Sequence, residues 1–304
     1  MKKYIGLIFI MIRPGMIFAC LNLYIVNEAG HEDIFEDYPP YQIMFNAEST
    51  VKSLKFYEGL VREGLRPEEQ HRYTSNYAVR LVELGRSKEA LPIFQKLAKQ
   101  KPDEYEILAN LAVAYELNGQ IDSALKYLNR ALAINPKAHK NSEWFHVRLL
   151  EAAIAARNGD REIAAMNVLK LGSTTSRDTA YQLSHQLRER VKLTSAPNLL
   201  LSKVLEETAD YYRKTVSVDW AVKLYAMAAG YTPDGGVRER LWTKINTAHD
   251  RIMELDKRKP QARKSDQVRA ALVKKNWQQY VQKDITRWES FKAHYEADLK
   301  IMAY

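Results

Sequence analysis

Arg72 and Asn76 stand four residues apart, and Asn110 follows Asn76 by 34. Four residues make about one helical turn, so on a helix the first two share a face. A guanidinium presents a planar fork that matches a carboxylate, and an asparagine amide can bond a peptide backbone. The chemistry available to this set is recognition rather than bond-making. His146, further along the chain, is a fourth candidate of the same kind.

Residue sets for covalent chemistry do not appear in the sequence. There is no GxxxxGK[ST], no GxGxxG after a strand, no GxSxG and no HExxH. His31, His71, His139, His146, His185, His249 and His294 stand singly. His31-Glu32-Asp33 has metal-ligand residue types without a metal-site spacing, and reads as a solvated loop. Gly235-Gly236 precedes a basic helix but lacks the strand of a phosphate site, and reads as a turn. Neither a metal nor a cofactor is expected, and the chain is not expected to be an enzyme.

The elements that must hold Arg72, Asn76 and Asn110 are set by a repeat. His71–Glu104 and Tyr105–Ala138 align without a gap at a 34-residue period. Ala78 pairs with Ala112, Leu81 with Tyr115, Gly85 with Gly119, Ala90 with Ala124, Phe94 with Leu128 and Pro102 with Pro136. Small residues fit where two helices cross closely, glycine ends a helix, and proline stops the next one. This set resembles the tetratricopeptide repeat family, with Thr74 and Leu108 where that family often has Trp. The resemblance implies an all-α, right-handed α-α superhelix whose first helices line a concave, partner-binding groove. In family members that hold a peptide's terminal carboxylate, basic and Asn side chains occupy this region. Arg72, Asn76 and Asn110 resemble part of such a clamp, with His146 at the place of Arg72 in a third unit. The alternative is that these residues are ordinary polar groups of a repeat surface.

One unit cannot bury its apolar face alone, so further units are expected. Trp144–Gly172 carries Ala152, Gly159, Ala164 and Leu171 at the spacing of a degenerate third unit, after an insertion at Lys137–Ser142. Ser173–Asn198 reads as a polar connector around a helix at Asp178–Val191. In a fourth unit at Ser202–Gly235, Leu205, Ala209, Tyr212, Ala221, Tyr225 and Ala228 take repeat positions, and Val216 replaces the glycine. The resulting layout is 67–172 for the array, 173–235 for the connector and fourth unit, and 236–304 for basic C-terminal helices. Residues 20–66 carry a short extended segment with strand character, then a helix at Ala47–Glu63. The resemblance to secreted bacterial tetratricopeptide proteins covers roughly residues 67–235.

Residues 1–19 read as a signal peptide, with Lys2 and Lys3 before the apolar run Tyr4–Ile12, and Ala19 at the cleavage position. Cys20, the lone cysteine, follows Ile17-Phe18-Ala19 in a sequence that resembles a lipobox, so lipidation, plain cleavage and an uncleaved anchor all stay open. The expected location is the periplasm or cell envelope. The formal net charge is +9, and Val237–Tyr304 holds 16 Lys and Arg against 9 Asp and Glu. Expected there are helices at Val237–Lys257, Ser265–Gln282 and Asp284–Ala303, the last with the apolar stripe Val281, Ile285, Trp288, Phe291 and Tyr295. These basic segments could touch an anionic membrane, whereas no nucleic-acid partner is expected. The function expected is a non-catalytic scaffold that holds a protein or peptide partner. The rival is an envelope enzyme or accessory subunit acting on peptide or cell-wall material.

Overall fold

The computed structural model describes residues 23–26, 32–35, 47–64, 67–160, 162–173 and 176–257. Met1–Ala19, Cys20 and the segments expected at Ser265–Gln282 and Asp284–Ala303 lie outside the described residues. Two strands, β1 (Leu23–Val26) and β2 (Glu32–Phe35), pair antiparallel with Leu23 opposite Phe35 and Val26 opposite Glu32. Among the described residues every other regular element is helical: α1 (Ala47–Glu63), α2 (Gln70–Glu83), α3 (Ser87–Gln100), α4 (Tyr105–Leu117) and α5 (Ile121–Ile134) open the array.

The pairs α2/α3 and α4/α5 are the two aligned repeats, and the residues that match in sequence do matching work. Ala78, Ala90, Ala112 and Ala124 are completely buried at the crossings. A larger side chain there would push the helices apart. Phe94 and Leu128 fill the space between helices and are buried likewise. Gly85 and Gly119 have φ of 74° and 75°, a left-handed conformation that costs a residue with a Cβ about 1 kcal/mol or more. Around each, two backbone bonds close the helix end: Arg86 N–H to Leu81 O at 2.8 Å and Gln120 N–H to Tyr115 O at 2.9 Å are the longer-range ones.

A short turn, α6 (Ala138–Asn141), follows, and it is not a regular helix. His139, Lys140 and Asn141 all have positive φ, of 49°, 59° and 61°. The insertion therefore reverses the local hand of the chain before α7 (Glu143–Arg157) begins. α7 is the first helix of the third unit. Where its second helix was expected there is a 3-10 turn at Ile163–Ala165 and then irregular chain. The Glu207 carboxylate accepts the Val168 and Leu169 N–H groups at 2.9 and 2.7 Å, giving that backbone partners without a helix.

α8 (Arg177–Leu193) spans the connector, and α9 (Leu199–Thr215) and α10 (Val218–Tyr231) form the fourth unit. Ala209, Tyr212, Ala221 and Ala228 are fully buried there. The inner turn is made without glycine: Val216 and Ser217 N–H groups both reach Tyr212 O, and the Ser217 hydroxyl caps α10. α11 (Gly235–Lys257) stacks on α10. Lys244 ties it back to α9 through Glu206 at 2.8 Å and Asp210 at 2.7 Å. The apolar interior falls into two clusters, one under α2–α5 and one under α7–α11. Among the described residues, no helix is long and apolar enough to cross a membrane.

Candidate functional site

α2, α4 and α7 are first helices of successive units, and side chains from all three line one recess of about 180 Å³. Val79, Val82, Phe94, Val113 and Leu193 make its apolar surface. Asn110, Glu83, Glu143, His146 and Glu189 are among its polar lining. α8 closes one side, because it folds back on the array instead of stacking beyond it. Leu193 packs on the first apolar cluster, Gln186 donates to Ser142 Oγ at 2.9 Å, and Trp144 donates to Gln182 at 2.6 Å.

The floor of the recess is a charged network that joins α4, α7 and α8. Glu116 on α4 is bonded by the Arg190 guanidinium from α8 and lies 2.8 Å from His146 Nε2 on α7. His146 is 3% exposed, and its other ring nitrogen lies 3.6 Å from Glu143. Burial pushes the Glu116 carboxyl upward, but Arg190 and His146 outweigh it and hold the group at about 2. Glu143 is 5% exposed and accepts from the Tyr105 hydroxyl at 3.3 Å. His139 Nδ1 sits 3.4 Å from the same carboxylate oxygen. Burial raises the Glu143 carboxyl too, and the His146 contact followed by His139 and Arg190 brings it below the ordinary range. Burial and the neighbouring His139 lower His185, whose ring stacks edge-on against His139 at 5.5 Å.

Asn110 and His146 thus come together in the recess. Asn110 Nδ2 reaches back to Ser75 Oγ at 3.5 Å, bridging α4 to α2. Arg72 and Asn76 lie on α2 outside the recess lining, Arg72 exposed and Asn76 half-buried. Arg72 is seven residues before Val79, two turns or about 10 Å along the same face. His146 holds the register place of Arg72 but is buried, because α8 covers α7 there, whereas Arg72 is exposed among the described residues. Its acidic partners were not singled out from the sequence. One signal was there: Glu116 aligns with buried Val82 of the first unit, a charge where the repeat has an apolar side chain. Glu143 and Arg190 had no such signal, since they depend on where α8 folds. Among the described residues, no group of three His, Cys, Asp or Glu side chains is placed to hold a metal ion.

Residues 81–148 match the family model described as tetratricopeptide repeat. This segment carries tetratricopeptide repeats. The matched span runs from the end of α2 into α7 and stops within the third unit, which lacks its second helix. No curated protein matches the chain. Tetratricopeptide repeats generally mediate protein–protein interaction and are typically non-catalytic, which accords with a recess lined by recognition groups.

Proposed function

We propose that this protein is a non-catalytic scaffold of the cell envelope, holding a partner protein or peptide along the face of α2, α4 and α7. The observation that carries the reading is the recess, with apolar walls and polar groups drawn from all three helices. Such a surface takes one side chain of an extended segment and bonds its backbone through groups such as Asn110. Arg72 and Asn76, two turns away on α2, lie where that segment would continue, with Arg72 able to meet a carboxylate. The envelope location rests on Lys2, Lys3, the apolar run Tyr4–Ile12 and Ala19. Attachment through a lipidated Cys20, or through the basic residues after α11, belongs to the same proposal.

Glu116, Glu143 and His146 are the titratable groups that a catalytic role at this recess would use. Their geometry supports the scaffold instead, because Glu116 is already neutralised by Arg190 and the group joins three helices. The test is affinity capture from envelope extract with the parent protein and with Val113→Trp, which fills the recess. Partners held by the parent and lost by the variant support the proposal. Partners retained equally by both would move the binding surface elsewhere.

A further inference from the structure

The charges around the recess do not cancel. Glu83 is bonded by Arg80 on its own helix, Glu189 by Lys192, and Glu116 by Arg190. Glu143 is different. Among the described residues its contacts are the Tyr105 hydroxyl and two imidazoles, with no Lys or Arg nitrogen in ion-pair reach. Arg190 acts on it only at longer range. A carboxylate that is 5% exposed, faces an open recess and lacks a permanent counter-charge invites one from outside.

The shape agrees with the charge. α8 occupies much of this side, so what is left suits a single side chain and not a helix. A volume of about 180 Å³ slightly exceeds the roughly 150 Å³ of a cavity that binds benzene. Its walls are apolar along Val79, Val82, Val113 and Leu193, and its polar side holds Glu143 together with Arg190 and Lys192, which are already paired with Glu116 and Glu189. That division matches a side chain with an aliphatic stem and a cationic tip. Lysine fits better than arginine, since its compact ammonium with rotatable donors can settle on one carboxylate and its neighbours, where a guanidinium presents a wider, fixed planar fork.

We infer that the recess is a lysine pocket: it receives a lysine side chain of the partner, the stem against the valines and the ammonium on Glu143. This rests on the partner-binding reading given above and names the side chain that the partner must offer. His139, half-exposed and 3.4 Å from Glu143, is the contact that the incoming ammonium replaces. Tyr105 and His146 stay in place behind the carboxylate, and Lys192, held by Glu189, keeps its own partner.

The test uses end-blocked, fluorescently labelled pentapeptides Ala-Leu-Xaa-Leu-Ala, with lysine, norleucine, ε-acetyl-lysine or glutamate at the centre. They are titrated against the full chain by anisotropy. Lysine should bind at least about tenfold more tightly than norleucine or ε-acetyl-lysine, and glutamate most weakly. Glu143→Gln, which leaves an acceptor for Tyr105, should bring lysine within about twofold of norleucine. The ranking on the parent protein decides the question even if that variant folds poorly. Equal affinity for all four peptides, abolished by Val113→Trp, would overturn the lysine pocket while leaving the recess as a binding site. Binding that Val113→Trp does not change, or no binding of any peptide, would overturn both.

Discussion

Replacing Arg190 by methionine should be among the most damaging single changes in the array, although Arg190 belongs to no repeat. The guanidinium is 9% exposed and its partner Glu116 14% exposed, so the pair is largely removed from water. Methionine keeps most of the stem's volume and removes the charge. Breaking one side of a buried pair leaves an uncompensated charge and costs about 3–5 kcal/mol. His146 still faces Glu116 at 2.8 Å, which places the expected loss at the lower end, about 3 kcal/mol. The depressed Glu116 carboxyl leads to a figure of the same size. Glu116 falls from 4.5 in the unfolded chain to about 2 in the fold, worth on the order of 3 kcal/mol. Because the folded value is depressed, that stability is fully present above pH 4.5 and disappears as pH falls through about 2. The assay is urea unfolding of parent and Arg190→Met at pH 7 and at pH 3. The gap should be about 3 kcal/mol at pH 7 and clearly smaller at pH 3, where the parent has begun to lose the same contribution. The double variant Glu116→Leu with Arg190→Met should recover about 2 kcal/mol, since no buried charge is then left over. A loss under 0.5 kcal/mol, or a gap equal at both pH values, would refute the claim that this pair fastens α8 to α4.

Ala112→Leu or Ala124→Leu should each destabilise by about 1–3 kcal/mol by overpacking a fully buried helix crossing, read as a lowered thermal midpoint. Gly119→Ala should cost about 1 kcal/mol, because φ is 75° and nothing lies within 4 Å of the added Cβ, so the whole effect is conformational. Glu207→Gln sets an amide N–H₂ against one of two backbone donors, at Val168 or Leu169. It should cost about 1–3 kcal/mol in urea unfolding, with faster amide exchange confined to residues 166–170. Mass spectrometry of protein from its native host should show a chain without Met1–Ala19, and a diacylglyceryl mass on Cys20 would identify a lipid anchor. An intact Met1 on all of the protein would remove the envelope from the proposal.

The parts of this fold that local pattern governs were legible in advance. α1 runs over Ala47–Glu63 as its apolar spacing implies, and the buried alanines and positive-φ glycines of α2–α5 fall where the 34-residue register puts them. These features depend on contacts between neighbours in sequence, and a repeat states them twice. The missing second helix of the third unit was not legible. Residues 163–171 have good helix formers, and what keeps them irregular is a carboxylate about 40 positions later, Glu207, that bonds two of their amides. The recess had the same kind of origin. Asn110 could be named from its register, but the charged floor needed α8 to return across the array and bring Arg190 to Glu116, 74 residues away in sequence. That return also explains why one register position has two fates. Arg72 is exposed on α2 among the described residues, whereas His146, its equivalent under α8, is enclosed between two carboxylates. A repeat dictates which side chains line its face. The chain that follows the repeat decides which of them a partner can still reach, and among the described residues it leaves Glu143 in the recess without a Lys or Arg partner.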